Sequence, residues 1–398
     1  MNAKDAALRL LKAVPLKKAI LFESNPDFAD NTLPVYLELR RELPSWKMVW
    51  IVQTPEGEKI RADRSYLKAK KKGADTVIYA HPVSAREKLR RMYYFHRSAA
   101  IVFCNHRQKK GVESQLSFFL CHGSKTKKTQ GFYEVGGYAD YVECQAPFFE
   151  EVTAKEYGCR RQQLVTHGYP RCDDFYREEP SGMRRTLLGG QDERYLIWLP
   201  TFRKQQTGRT DVPDGCYDAL GMPLIYDIKT LKEFDRFLEE RGIHILFKPH
   251  PSQDLSGLVR ENLTHFHILT DEALRGAGLR LYQVIAGADA LITDYSSVFF
   301  DFLLLNRPVA TTTDDIENWK EGRGFAFDLE SMYNKATVRV PDLSVLKTFI
   351  DGVLSGEDEK ADERAAVRDL TNRYSDGNST KRVCAFIMEK LSERMGKL

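Results

Sequence analysis

Ala290-Leu-Ile-Thr-Asp-Tyr-Ser-Ser-Val-Phe-Phe-Asp301 decides how the chain is read. An apolar run meets Asp294, two hydroxyls follow at Ser296 and Ser297, and an apolar stretch resumes at Val298. The pattern suits a buried strand from Ala290 to Thr293 that ends in a polar turn and feeds a helix from Val298 to Leu305. Ser296 or Ser297 then stands at the helix start, where unpaired N–H groups and the positive dipole end favour an anion. A serine that only caps the helix is the competing reading.

The same design recurs on both sides of this stretch. Upstream in the second half, Tyr195–Leu199 reads as a strand ending in Pro200-Thr201-Phe202-Arg203, and Ile243–Lys248 as one ending in Pro249-His250-Pro251. His267–Thr270 and Pro308–Thr311 read as further strands, the latter as the last. Helices are expected at Leu231–Arg241, with Gly242 as its stop, and at Leu279–Gly287. In the first half, strands are expected within Lys17–Ser24 and at Lys47–Gln53, Asp75–Tyr79, Ala99–Cys104, Leu116–Cys121 and Tyr141–Cys144, and a helix at Asn31–Leu43. Short apolar strands alternating with helices argue for parallel α/β units. The charged, Gly-bearing segment Glu178–Arg194 marks the boundary. Domains of 1–185 and 186–375 follow, with a C-terminal helix in 376–398 able to pack back on the first.

Ligands of such sheets bind beyond the carboxyl ends of the strands, and the chemistry-bearing residues cluster there. His250, held between two prolines, and Lys248 beside it are suited to charge on a diphosphate. Arg203 offers bidentate contact to phosphate. His122 ends a strand and can take a proton from a hydroxyl near neutral pH. Gly123 permits close approach, and Lys125, Lys127 and Lys128 make a local cationic patch. A structured turn, a solvated basic loop and a surface ion pair are the plainer readings of these three segments.

Composition narrows the class. The 398 residues are 42% hydrophobic and 29% charged, which argues against disorder or a fibrous repeat. Sixty Lys and Arg against 56 Asp and Glu leave a net charge of only +4, so a general nucleic-acid binder is not expected. Seven cysteines, an odd number without a Cys-x-x-Cys pair, point to free thiols and to no metal site. Walker, Gly-x-Gly-x-x-Gly, Gly-x-Ser-x-Gly and Asp-x-Asp motifs are absent, which removes support for kinases, dehydrogenases, serine hydrolases of that type and metal-chelating sugar transferases. No apolar run approaches the ~18 residues of a transmembrane helix, and Met1–Pro15 is too interrupted for a secretory signal. A cytoplasmic protein is expected. Lys4, Arg9, Lys12, Lys17 and Lys18, and Arg86, Lys88, Arg90 and Arg91 beside Tyr93-Tyr94-Phe95, suit contact with an anionic inner membrane surface or a solvated face.

Taken in order, His122-Gly123 with its lysines, Gly168-Tyr169-Pro170-Arg171, Pro200-Thr201-Phe202-Arg203, Lys248-Pro249-His250-Pro251 and Thr293-Asp294-Tyr295-Ser296-Ser297 with Phe300-Asp301 resemble the CDP-glycerol glycerophosphotransferase family of teichoic-acid and capsule synthesis. Phe22-Glu23-Ser24 with Asp30-Asn31, Arg323-Gly324-Phe325 and Asp376-Gly377 extend the likeness over nearly the whole chain. Where the family commonly reads His-Gly-Thr-Pro-Leu-Lys, this chain reads His-Gly-Ser-Lys-Thr-Lys. The resemblance implies an α/β fold of GT-B type, two Rossmann-like domains with parallel sheets facing a central cleft. It implies transfer of a polyol phosphate from a CDP-polyol to a hydroxyl of a lipid-linked or polymeric glycan, releasing CMP. It makes His122 the catalytic base and His250 the second essential histidine. Thr201, Arg203, Lys248, Asp294, Ser296 and Ser297 become the donor side, and Gly123, Ser124, Lys127 and Lys128 the acceptor side. No cofactor is required by this set, with Mg²⁺ left open. A GT-B transferase using a CMP-sugar, such as sialic acid or Kdo, and a non-catalytic polymer-binding GT-B domain are the alternatives.

Overall fold

Near-continuous apolar runs become two parallel sheets among the residues described by this computed structural model, which are 15–53, 75–105, 108–128, 134–201, 220, 222–249, 262–322 and 324–396. The first sheet contains β1 (Lys17–Glu23), β2 (Lys47–Val52), β3 (Asp75–Tyr79), β4 (Ser98–Phe103), β5 (Leu116–Phe119), β6 (Tyr141–Glu143) and β7 (Leu164–Val165). The second contains β8 (Arg194–Leu199), β9 (Ile243–Phe247), β10 (Phe266–Ile268), β11 (Ala290–Thr293), β12 (Val309–Thr312) and β13 (Val338–Val340). Their orders are β3-β2-β1-β4-β5-β6-β7 and β10-β9-β8-β11-β12-β13, parallel throughout. Each is the Rossmann order, in which the strand sequence reverses beside the first strand and leaves a crevice at the carboxyl ends. The crevice lies between β1 and β4 in one sheet and between β8 and β11 in the other.

Both faces of such a sheet are covered by helices, so the central strands carry no polar alternation. All six residues of β4 and the last five of β1 and β8 are buried. The chain divides into two units, one of Met1–Ser124, Gln130–Tyr176 and Arg373–Leu398, the other of Lys125–Thr129 and Arg177–Asn372. The crossing at 176/177 precedes the expected 185/186, because the helix Met183–Leu187 sits in the second unit. The C-terminal helix Ser379–Met395 lies in the first unit, with Val383, Cys384, Ile387 and Leu391 in one core with Phe22, Phe28, Tyr36 and Trp50. The rings of Phe28 and Trp50 stack at 4.3 Å, and Tyr36 meets Trp50 edge-on at 5.2 Å.

Several boundaries differ from the sequence reading. The helix expected over Val298–Leu305 is α-helical only at Val298–Phe302, and Leu303–Leu305 tightens into a 3₁₀ turn ending at left-handed Asn306. Strands β7 and β13, two and three residues long, are additional, so Pro308–Thr311 is not the last strand. Elements that short carry too few residues to establish a period of two.

Candidate functional site

In the first unit the site begins where β1 ends. Glu23 is fully buried, and its Oε2 accepts from Asn105 N, just beyond β4, at 3.3 Å. The loop from Ser24 onward holds two non-glycine residues in left-handed conformation, Phe28 and Asp30, each at φ 55°. Such residues cost on the order of 1–3 kcal/mol apiece and persist only where their surroundings over-determine them. Here they do. Phe28 is locked against Trp50, and Asp30 Oδ1 accepts from Arg171 at 2.8 Å. Next to it, Asn31 donates from Nδ2 to the carbonyls of Leu120 and Cys121, and its Oδ1 accepts from Arg171 N at 3.2 Å.

This clamp holds the segment that carries His122. Cys121 is also left-handed, at φ 56°, and Gly123 follows at φ 135°, where a side chain would be strained. Arg171, buried, donates from one guanidinium nitrogen to both Asp30 and the His122 carbonyl, the latter at 2.9 Å. The His122 ring is partly exposed, and its Nδ1 lies 3.1 Å from Cys104 O. A carbonyl can only accept, so Nδ1 carries the proton and the lone pair is on Nε2. A histidine in this tautomer is arranged as a base. Ser124 is buried and gives its hydroxyl proton to Gln145 Oε1.

Lys125–Thr129 belongs to the second unit. Thr126 Oγ1 donates to Tyr295 O at 3.1 Å, and Ala326 N donates to Thr126 O at 2.9 Å. Lys127 bridges Phe325 in antiparallel fashion and rests over the Trp319 ring at 5.1 Å. Of the four residues expected on the acceptor side, Gly123 and Ser124 thus lie in the first unit and Lys127 and Lys128 in the second.

The rest of the second unit's site gathers at the ends of β8, β9 and β11. Asp294 is fully buried, and its carboxylate accepts from Thr201 N at 2.9 Å and from Thr201 Oγ1 at 2.8 Å. The pair ties the end of β8 to the end of β11, so Thr201 gives its hydroxyl proton to protein. Tyr333 donates to Asp294 O at 2.6 Å, and burial pushes its hydroxyl well up, which keeps it a neutral donor. Tyr295 donates to Asp315 at 2.8 Å and Tyr282 to Asp301 at 2.5 Å. Ser296 and Ser297 are half-buried, and Ser297 at the helix start makes no capping hydrogen bond. The plain cap is therefore not what this serine does. Lys248 is buried and pairs with Asp271 in the next helix's first turn at 3.1 Å.

Arg203, His250 and Arg323 lie outside the described residues, as do Lys4, Arg9, Lys12 and Cys216. The six described cysteines are free and buried. Burial pushes the Cys144 thiol up to about 12 and that of Cys159 up to about 11, so neither is a nucleophile at neutral pH. Sequence reasoning gave Asp30, Asn31 and Arg171 no role. Their signal was only that they stood in quoted motifs, since a clamp made across 140 residues of chain has no local pattern.

A family model described as CDP-Glycerol:Poly(glycerophosphate) glycerophosphotransferase matches residues 7–389. The teichoic acid glycerol-phosphate primase of Bacillus subtilis (strain 168) is 26% identical over 281 residues, which is 66% of this chain and 60% of that protein. The teichoic acid ribitol-phosphate primase of Bacillus spizizenii is 26% identical over 261 residues, 64% of this chain and 60% of the relative. The chain thus matches well under two thirds of the length of these relatives. Among solved structures, the wall teichoic acid polymerase TagF superposes with a TM-score of 0.71 at 19% identity, covering 99% of this chain and 97% of that one. The fold class is accordingly α/β of GT-B type, with two Rossmann-like units.

Proposed function

The chain belongs to the CDP-glycerol:poly(glycerophosphate) glycerophosphotransferase family, and on that premise we propose that it transfers a polyol phosphate from a CDP-polyol to an acceptor hydroxyl and releases CMP. Glycerol phosphate is the group transferred, and the acceptor is a teichoic-acid-like or capsule polymer grown on a lipid-linked glycan. The observation that carries this reading is the His122 ring, whose Nδ1 is tied to Cys104 O, so that Nε2 is the basic nitrogen.

The acceptor oxygen attacks the β-phosphorus of the donor, and its proton passes to His122 Nε2. The bond from the β-phosphorus to the bridging oxygen breaks, and that oxygen leaves with CMP. Charge on the diphosphate is met by Lys248, Ser296 and Ser297, together with Arg203 and His250. Asp294 and Thr201 act by position, because a carboxylate beside a phosphate repels it. Lys248 shares its charge with Asp271 before donor binds and turns it to the donor afterwards. Lys127 and Lys128 join this donor group, which the adjoining bond from Thr126 Oγ1 to Tyr295 O and that from Lys128 N to Gly324 O support.

A membrane-linked acceptor requires approach to a lipid surface. The helix Ala85–Arg97 buries only Arg97, exposes Leu89 at 61%, and presents Arg86, Lys88 and Arg90 to solvent. Basic side chains around an exposed apolar one suit an anionic membrane face. Lys17 and Lys47 rest over the rings of Tyr93 and Tyr94 at 5.6 and 5.7 Å. No helix among the described residues is long and apolar enough to cross a membrane.

The test follows CMP release with CDP-glycerol, CDP-ribitol and CMP-sialic acid, each with a lipid-linked acceptor. Turnover with a CDP-polyol, lost in His122→Ala, is expected. Turnover with the CMP-sugar alone moves the chain to the alternative chemistry.

A further inference from the structure

A second constellation lies at the opposite edge of the second sheet, where the strands begin. Glu193 stands just before β8, His244 is the second residue of β9, and His265 immediately precedes β10. His244 comes four residues before Lys248, which directly follows β9, so roughly 13 Å of extended chain separates this cluster from the donor-side residues. His244 is fully buried, and His265 nearly so. The Nε2 of His244 lies 3.0 Å from Glu193 Oε2, and its Nδ1 lies 2.9 Å from His267 Nε2. Its ring stacks on His265 at 4.4 Å. One ligating atom from each of Glu193, His244 and His265 falls within 4.8 Å of the other two.

The protons can be placed. Thr264 Oγ1 donates to Asp235 Oδ2 at 3.2 Å, so it can only accept from His265 Nδ1, 3.0 Å away. The lone pair of His265 is therefore on Nε2. Burial, reinforced by the neighbouring imidazoles, pushes His267 down to about 4 and lowers His244.

We propose that Glu193, His244 and His265 form a binding site for one divalent ion of borderline softness, Zn²⁺ foremost, with His267 orienting His244. One carboxylate oxygen and two imidazole nitrogens, completed by water, make a tetrahedral set suited to that class. Without metal, Glu193 can only accept, so His244 Nε2–H faces it and His244 Nδ1 accepts from His267 Nε2–H. Binding moves each proton to the other nitrogen of its ring. His244 Nε2 then meets the ion, and Nδ1–H donates to His267 Nε2 as the outer-shell bond that fixes the ligand. The His265 ring must also turn out of its stack, a reorganisation that makes the site weaker than a rigid structural zinc site. The ion braces the starts of β8, β9 and β10.

Since His244 is fully buried and its replacement endangers folding, the test uses Glu193→Gln, at a side chain 41% exposed, and His267→Phe. Full-length protein stripped with a chelator is titrated with Co²⁺, followed by its visible absorption, and then challenged with Zn²⁺. One saturable equivalent per chain is expected, displaced by Zn²⁺ and accompanied by a higher melting temperature. Affinity should fall at least about tenfold in Glu193→Gln and roughly 10–100-fold in His267→Phe, with polyol-phosphate transfer unchanged in Glu193→Gln. Absence of saturable cobalt absorption, or an unchanged affinity in Glu193→Gln, overturns the site. An unchanged affinity in His267→Phe overturns the orienting role.

Discussion

In each unit a buried carboxylate at the strand-order reversal bridges the two strands that flank it. Glu23 at the end of β1 takes Asn105 N at 3.3 Å, and Asp294 at the end of β11 takes Thr201 N at 2.9 Å. What surrounds these bridges differs. The first unit adds three non-glycine left-handed residues, Phe28, Asp30 and Cys121, a buried arginine clamp and a histidine of fixed tautomer. The second has no such residue from Asp294 to Ser297 and supplies hydroxyls and a paired lysine. On the proposed mechanism, the left-handed residues described at the first reversal stand where one nitrogen is aimed at one proton. Neutralising a diphosphate tolerates looser geometry, because Coulomb attraction falls off slowly with distance while a proton transfer needs hydrogen-bond contact.

The comparison is broken most easily at its histidine. His122→Ala should lower the transfer rate by about 10²–10⁴ while CDP-glycerol still binds with near-parent affinity in calorimetry. Equal losses of rate and donor affinity would move His122 to the donor group. Next in size is Arg171→Met, which leaves the buried contacts of the arginine unmade and the half-buried Asp30 without its cation, and should cost up to about 3 kcal/mol, read as a lower denaturation midpoint. Arg171→Lys should recover little, because one ammonium cannot reproduce the guanidinium and the backbone contacts it holds.

On the other side, Lys248→Ala should raise the KM for the CDP-polyol about tenfold, equivalent to about 1.4 kcal/mol, with a smaller change in kcat. Asp271→Asn should leave that KM equal or lower, and a large rise would show that Asp271 serves the donor directly. The smallest effect concerns the thiols. Iodoacetamide at pH 8 should leave Cys104, Cys144 and Cys384 of the native protein unmodified, as peptide mass spectrometry would record, because burial raises each thiol's pKa.

Sequence patterns carried the sheets well, because parallel strands covered on both faces must be nearly unbroken in apolar residues, as Ala99–Phe103 and Leu196–Leu199 are. They carried β7 and β13 badly, since two or three residues cannot establish a period. The polar strand ends were equally legible: Thr201, Lys248 and Asp294 stand just beyond a strand, and His122 comes three residues after β5, which ends at Phe119 rather than at the expected Cys121. What each touches was not. Thr201 pairs with a residue 93 positions away and Arg171 with one 141 away, and such contacts follow from topology rather than from local pattern. The crossing between units after Ser124 was likewise not legible, because no composition change marks it.

Mass spectrometry of a synthetic lipid-linked acceptor, incubated with CDP-glycerol and either the parent protein or His122→Ala, decides whether the proposed polyol-phosphate transfer runs with His122 as base. Acceptor heavier by one or more glycerol phosphate units is expected, with one CMP released per unit and no such product from the variant. Acceptor left unchanged by the parent, or extended equally by His122→Ala, would overturn the proposal.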